Sequence, residues 1–240
     1  MEPSDTSPSK SDAGGVSARQ GFKYQDHVAA SFFIKMISNE KMESLECETA
    51  DDIFVVWRGN PQKTHEYIQV KTTEDNSKWT QAEVLKRTNP KTESSIAEAS
   101  LLCDKYDAVA WFRIVSKRDV NKSLKCLEMP FSKRFEMGDI DELASKIFAK
   151  RKSTISAKGN TLEYWGKNTF WEVMGTEQAV KNNNLVSLSE VSNDFGAVPE
   201  HSLLKTIYND ILMWVEKAAN ASRKTEPELK TITRSKAISW

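Results

Sequence analysis

Gln69 and Lys71 lie two residues apart in the segment EYIQVKT, residues 66–72. Side chains of a β-strand alternate between its two faces, so these two polar groups share one face. Asp52 directly precedes another apolar run, IFVVW, and a hairpin between the two runs would bring its carboxylate to the same place. Oxygen ligands suit a hard divalent cation, and an ammonium group stabilises the negative charge that develops at phosphorus. The three side chains are therefore the types that phosphodiester hydrolysis needs.

Each of these groups has a role in this hypothesis. Asp52 would bind Mg²⁺ (or Mn²⁺), helped by the side-chain carbonyl of Gln69 and the backbone carbonyl of Val70. Lys71 would orient the attacking water and stabilise negative charge. The alternative for Gln69 and Lys71 is an edge strand whose polar face is solvated.

Three further residues belong to the hypothesis less specifically. Gln25 falls on the apolar face of a predicted helix, where it can hydrogen-bond a metal-bound water or act as a core amide bonded to the backbone. Glu48 could likewise hydrogen-bond a metal-bound water, or its carboxylate could be a solvated charge of the acidic segment. One acid of the pair Asp51–Asp52 can cap a turn, and Asp52 is the preferred ligand because it abuts the strand.

The elements that must position these residues follow from hydrophobic periodicity. Apolar residues recur at helical spacing from Gln20 onward, and the turn residues RGNPQK separate two apolar arms of a hairpin. The predicted order is helix, two strands, helix and strand, with a late amphipathic helix. The hairpin spans 52–71, the second helix 93–106, the third strand 108–115 and the late helix 202–219.

Composition divides the chain into three parts. Residues 1–19 are rich in Ser, Pro, Gly and Asp, which predicts a flexible leader. Residues 20–160 are assigned to the core of the domain, and residues 161–240 to a mainly helical extension of it.

Charge and cysteine usage exclude several classes. Lys plus Arg and Asp plus Glu number 34 each, so the net charge is zero and any nucleic-acid footprint must be local. The three cysteines and three histidines show no zinc-ligand spacing. No apolar run reaches the roughly 20 residues that a membrane helix needs, so a cytoplasmic protein without membrane contact is expected.

A basic stretch offers candidate phosphate contacts. Its residues could release counterions on binding DNA, or they could form a solvated face. They are Arg113, Lys117, Arg118, Lys122, Lys125, Lys150, Arg151 and Lys152.

Taken in order, GFKYQ at 21–25, ETADDI at 48–53 and YIQVKT at 67–72 resemble the PD-(D/E)xK nuclease superfamily in an Asp…Gln-x-Lys variant. More closely, they resemble the N-terminal double-stranded DNA endonuclease domain of the effectors of bacterial CBASS antiphage systems. AWFRIVSKRDVN at 110–121 and later segments extend the resemblance over residues 19–235. The sequence departs from the superfamily's commonest pattern in having Gln69 where an acid usually lies.

The resemblance implies a restriction-endonuclease-like α/β fold, with a central mixed β-sheet flanked by helices and a helical C-terminal part. It also implies Mg²⁺-dependent cutting of double-stranded DNA. In those effectors a C-terminal sensor binds a cyclic oligonucleotide and drives oligomerisation, and cutting both strands favours a homo-oligomer. The alternatives are a non-catalytic scaffold that binds nucleic acid or protein on a degenerate nuclease fold, and a nuclease for RNA or single strands.

Overall fold

A computed structural model describes residues 10–49, 51–73, 77–87, 94–134 and 154–239. Within these ranges a six-stranded mixed sheet lies between two layers of helices, which confirms the predicted α/β class. The strands are β1 (Met42–Cys47), β2 (Ile53–Trp57), β3 (Thr64–Lys71), β4 (Val109–Ser116), β5 (Thr169–Val173) and β6 (Thr231–Thr233). The helices are α1 (Lys10–Ser38), α2 (Gln81–Val84), α3 (Ile96–Leu101), α4 (Phe131–Arg134), α5 (Leu162–Lys167), α6 (Glu177–Asp194), α7 (His201–Asn220), α8 (Pro227–Lys230) and α9 (Arg234–Ser239).

The sheet has the strand order β5-β4-β3-β2-β1-β6. β1, β2 and β3 form an antiparallel meander, whereas β3, β4 and β5 run parallel. The predicted hairpin is confirmed as β2 and β3, paired through Ile53 and Ile68. Because β3 lies between β2 and β4, it is an interior strand, and the edge-strand alternative for Gln69 is wrong: the side chain is 7% exposed.

One face of the sheet packs against α1, α6 and α7. The spacing that predicted the late helix is confirmed, since α7 buries one stripe of its surface against α1 and the sheet. On this face β3 contributes Ile68 and Val70. The buried members of the α7 stripe are Leu204, Tyr208, Ile211, Val215 and Ala218.

The opposite face packs against α3 and α5. Here β3 contributes Tyr67 and β4 contributes Phe112 and Ile114, and the α5 residue Trp165 fills the space above them. Ile114 is the register partner of Gln69, so Gln69 belongs to this face and not to the face that α1 covers.

The structure differs from the predicted elements in several places. Strands β5 and β6 lie within residues 161–240, the part assigned to a mainly helical extension, and join the sheet. The acidic segment before Asp51 contains strand β1, whose inward residues Met42 and Leu45 are fully buried; its polar residues masked the strand pattern. Helix α1 begins at Lys10, inside the segment predicted as a leader. Helix α3 is shorter than the predicted 93–106: a capping box between Ser95 and Glu98 sets its start, and it ends at Leu101.

A buried ion network ties the parallel strands together. Arg113 of β4 donates hydrogen bonds to Glu66 of β3 at 2.7 Å and to Glu172 of β5 at 2.5 Å. Its guanidinium also lies over the rings of Phe32 and Phe170. Arg113, one of the candidate phosphate contacts, therefore bonds to residues of the neighbouring strands.

We expect Arg113→Met to lower the free energy of unfolding by about 3–5 kcal/mol, because it leaves the Glu66 carboxylate buried without its cation. Glu66 is 1% exposed. The measurement is urea unfolding followed by circular dichroism.

The matched control is Arg58→Ala. Arg58 also pairs with a glutamate, Glu43, but its side chain is 68% exposed, so its loss should cost less than about 1 kcal/mol. Equal losses for the two variants would contradict the structural role of Arg113.

Candidate active site

The candidate residues gather at one end of the sheet, where the turn between β1 and β2 meets the carboxyl ends of β3, β4 and β5. Lys71 of β3 pairs with Ser116 of β4, and the carbonyl of Ser116 accepts a hydrogen bond from the backbone of Met174, just after β5. In the antiparallel register, Ile53 pairs with Ile68, so Asp52 comes beside Gln69. The carboxyl ends of parallel strands are a common position for a site, because loops and side chains converge there.

The carboxylate of Asp52 has a structural bond. Its Oδ2 accepts a hydrogen bond from the backbone N–H of Val70 at 2.7 Å, which closes the ladder one residue beyond the end of β2. Its other oxygen, Oδ1, makes no hydrogen bond with a residue that the structure describes. Asp52 therefore holds the turn on β3 and still presents one carboxylate oxygen.

Asp51 is directed into the protein. Its Oδ1 accepts the backbone N–H of Asp52 at 3.2 Å, while Oδ2 is buried without a hydrogen-bond partner. Burial first, and then the charge of Asp52, raise the pKa of the Asp51 carboxyl to about 7, although the Lys71 ammonium and the Gln69 amide act in the opposite direction. The sequence favours Asp52 as the ligand because it abuts the strand, and only the acidic pair itself indicates a role for Asp51.

Gln69 and Lys71 share a face of β3, as the alternation predicted. The Oε1 atom of Gln69 is buried and has no hydrogen-bond partner, and its amide lies within hydrogen-bonding reach of Asp51. Lys71 is half-buried, and its ammonium attracts the Asp51 carboxylate. The structure thus brings an acid pair, an amide and an ammonium to one place.

Gln25 reaches this end from the other layer. Gly21, one helical turn earlier, comes so close to β3 that a Cβ there would lie 3.6 Å from Thr72 Oγ1. Tyr24 donates a hydrogen bond to the carbonyl of Gly175 at 3.0 Å, which fixes α1 over the strand ends. The Oε1 atom of Gln25 is buried and unpaired. No hydrogen bond joins Gln25 to the acid pair among the described residues, and α1 covers the face of the sheet opposite to Gln69.

Glu48 lies in the turn itself, with a positive φ of 51°. Its backbone N–H donates to the carbonyl of Asp52 at 2.8 Å, and its side chain is exposed. Its charge contributes to the field around Asp52, but the geometry gives its carboxylate no partner in the site.

The donor set fits a hard divalent cation. Two buried oxygens, Asp51 Oδ2 and Gln69 Oε1, lack a hydrogen-bond donor, and an unpaired buried oxygen costs about 1–3 kcal/mol unless something satisfies it. Carboxylate and amide oxygens are ligands that Mg²⁺ accepts. Across the described part of the chain, no group of three or more His, Cys, Asp or Glu has a metal-binding arrangement, so any site here depends on the amide of Gln69 and on backbone or water oxygens.

The candidate DNA contacts separate into different environments. Arg118 is buried and donates to Ser77 at 2.8 Å and to Glu83 at 3.0 Å, and its guanidinium stacks on Trp79. This environment favours a structural role for Arg118. Lys122 is exposed, and Lys117 extends over the ring of Tyr24 beside the site. Lys125 is exposed and pairs with Glu128 at 2.6 Å; Lys150, Arg151 and Lys152 lie outside the described residues.

We expect Asp52→Ala to destabilise the metal-free protein by about 1–3 kcal/mol, because the buried N–H of Val70 loses its acceptor. Asp52→Asn keeps an acceptor oxygen in place and should cost less than about 1 kcal/mol. Urea unfolding in EDTA measures both. Equal losses for the two substitutions would show that the hydrogen bond to Val70 does not hold the turn.

Comparison with known proteins places this chain in a family. Residues 13–219 match the family model described as Cap4, dsDNA endonuclease domain. Anti-bacteriophage protein A of Escherichia coli (strain K12) is 27% identical over 223 residues, which are 90% of this chain and 39% of that protein. The chain therefore spans well under half the length of this curated relative.

Solved structures show the same fold. The Cap4 SAVED/CARF-domain containing receptor of Acinetobacter baumannii, solved with the cyclic trinucleotide 3'3'3'-cAAA, has a TM-score of 0.58 and 15% identity over 91% of this chain and 43% of that one. The Moraxella osloensis receptor has a TM-score of 0.50 and 10% identity over 84% of this chain and 44% of that one.

No helix in the described ranges is both long and apolar enough to cross a membrane. The chain belongs to the Cap4 dsDNA endonuclease domain family.

Proposed function

We propose that this domain hydrolyses phosphodiester bonds of double-stranded DNA with Mg²⁺ (or Mn²⁺), in CBASS antiphage defence. Family membership supports the endonuclease activity, and the curated relative of similar sequence is named for its action against bacteriophage. The observation that carries the proposal is the convergence of Asp52, Gln69 and Lys71 at the carboxyl end of β3.

The residues have separable roles in this reaction. Asp52 and Gln69 present oxygens that would hold the cation, with the backbone carbonyl of Val70 as a further ligand. Lys71 would hold the scissile phosphate and stabilise the negative charge that develops on its oxygens. A bound Mg²⁺ would supply Lewis acidity and lower the pKa of a nearby water.

The surroundings suit an anionic substrate. Lys117 directly follows β4, and its backbone N–H donates to the carbonyl of Lys71 at 3.3 Å, so two ammonium-bearing residues lie on neighbouring strand ends. Lys122 is exposed further along the same segment. Contacts of this type recognise the phosphate backbone without reading bases, so we expect weak sequence preference.

Control of the activity belongs to the proposal as well. Cutting both strands requires two sites, so the active form would be a homo-oligomer. The Acinetobacter baumannii relative is a receptor solved with a cyclic trinucleotide, and we propose that a sensor of this kind, on the same or a separate chain, activates the domain.

Lys71→Ala should reduce Mg²⁺-dependent cleavage of supercoiled plasmid by at least about 100-fold, because a preorganised positive group is lost from the site. The assay uses the chain fused to a dimerisation tag, with EDTA as the metal-free control. Circular dichroism checks that the variant remains folded.

Lys41→Ala is the matched control for that assay. Lys41 is an exposed lysine that precedes β1 at the other end of the sheet, and its removal should leave cleavage unchanged. Cleavage retained by Lys71→Ala would refute the role of Lys71. A folded, dimerised wild-type protein that binds DNA without cutting it would support the scaffold alternative instead.

Lys122→Ala should lower the slope of log affinity against log salt by about one, because one phosphate contact and its released counterion are lost. Fluorescence anisotropy with a short labelled duplex across a NaCl series measures it. Lys205→Ala, an exposed lysine of α7, is the control and should leave the slope unchanged. The same slope for Lys122→Ala and wild type would exclude this segment from the DNA interface.

A further inference from the structure

The two acids of the site have different hydrogen-bond partners. Asp52 uses Oδ2 to accept the N–H of Val70, which is a bond that any acceptor at this position can make. Asp51 uses Oδ1 to accept the N–H of Asp52 and leaves Oδ2 buried and unpaired. Each acid thus has one carboxylate oxygen without a hydrogen-bond partner among the described residues, and that of Asp51 is the buried one.

Gln69 provides an independent observation of the same kind. Its side chain is 7% exposed and its Oε1 has no donor, although a buried amide oxygen normally finds one. The amide lies within reach of Asp51, so the two unpaired oxygens belong to one small region. An apolar environment would leave both oxygens unsatisfied, whereas a hard cation accepts both of them as ligands.

Net charge points in the same direction. With Asp52 and the neutral Gln69 as the ligands, the ammonium of Lys71 would cancel the charge of the ligand set. When it is ionised, the Asp51 carboxylate beside Asp52 and Lys71 makes the cluster net negative. Since the attraction between a divalent cation and its site grows with the negative charge of the ligands, the second acid favours metal binding.

The backbone holds Asp51 in place. The turn is closed by the N–H of Glu48 on the carbonyl of Asp52 at 2.8 Å and by the N–H of Thr49 on the carbonyl of Asp51 at 3.2 Å. A ligand on a turn that is fixed in this way loses little conformational freedom on binding, as a preorganised site requires.

We propose that Asp51 supplies a second anionic oxygen ligand to the divalent cation, through Oδ2 and next to Asp52 and Gln69. The inference rests on the proposed metal-dependent function and assigns to Asp51 the charge that Gln69 lacks.

Metal affinity tests the inference without reference to cleavage. Binding of Mn²⁺ to the whole chain is followed by electron paramagnetic resonance of the free ion. Asp51→Asn, which keeps an oxygen for the N–H of Asp52, should weaken the Kd by about tenfold or more because one ligand charge is lost. Asp107→Asn, at an exposed position before β4, is the matched control and should keep the wild-type Kd.

A rescue variant distinguishes charge from structure. Gln69→Glu in the Asp51→Asn background returns the negative charge to the neighbouring side chain and should recover most of the lost affinity. Asp51→Ser removes the carboxylate while keeping an acceptor for the turn, and it should bind Mn²⁺ as weakly as Asp51→Asn. Thermal unfolding in EDTA confirms that each variant is folded.

The outcomes separate this inference from the proposed function. A Kd for Asp51→Asn or Asp51→Ser equal to that of the wild type, which itself binds Mn²⁺ and cuts DNA, would overturn the role of Asp51 alone. Failure of Gln69→Glu to recover any affinity would overturn the charge argument. A folded wild-type protein that does not bind Mn²⁺ would overturn both the inference and the metal-dependent function.

Discussion

The site depends on the hydrogen bond from the backbone of Val70 to the carboxylate of Asp52, at 2.7 Å. It joins the turn after β1 to the interior strand β3, while the backbone N–H groups of Glu48 and Thr49 close the turn itself. Next to it, Asp51 accepts the backbone N–H of Asp52, and the Gln69 amide lies within hydrogen-bonding reach of its carboxylate. The chemistry proposed for this end of the sheet therefore rests on a structural contact that is not itself catalytic.

The polar groups of this sheet differ in whether they have partners. Glu66 is buried, Arg113 is largely buried and Glu172 is partly exposed, and the three are paired across three strands, as a buried charge requires. At the carboxyl end of the same strands, oxygens of Asp51 and Gln69 are buried and unpaired. These oxygens give this end of the sheet acceptors that a bound cation could satisfy.

A longer chain of similar fold is a receptor solved with a cyclic trinucleotide. Sequence identity to that receptor is 15%, so the likeness concerns the fold. The family model, which covers residues 13–219, carries the assignment to the Cap4 endonuclease domain. The proposed dependence on metal, on a second copy and on a sensor adds specific chemistry to that assignment.

The sequence alone determined the hairpin of β2 and β3, the helix α7 and the shared face of Gln69 and Lys71, because periodicities of two and 3.6 residues are local properties of the chain. The ordered segments GFKYQ, ETADDI and YIQVKT also indicated the family. Strand β1 escaped the pattern because its buried and polar residues do not alternate cleanly. Only the tertiary structure decided that β3 is an interior strand, that Arg113 and Arg118 face protein partners, and that Asp51 turns inward while Asp52 bonds the backbone. Those outcomes depend on which distant segments meet, and no local spacing of residues specifies that.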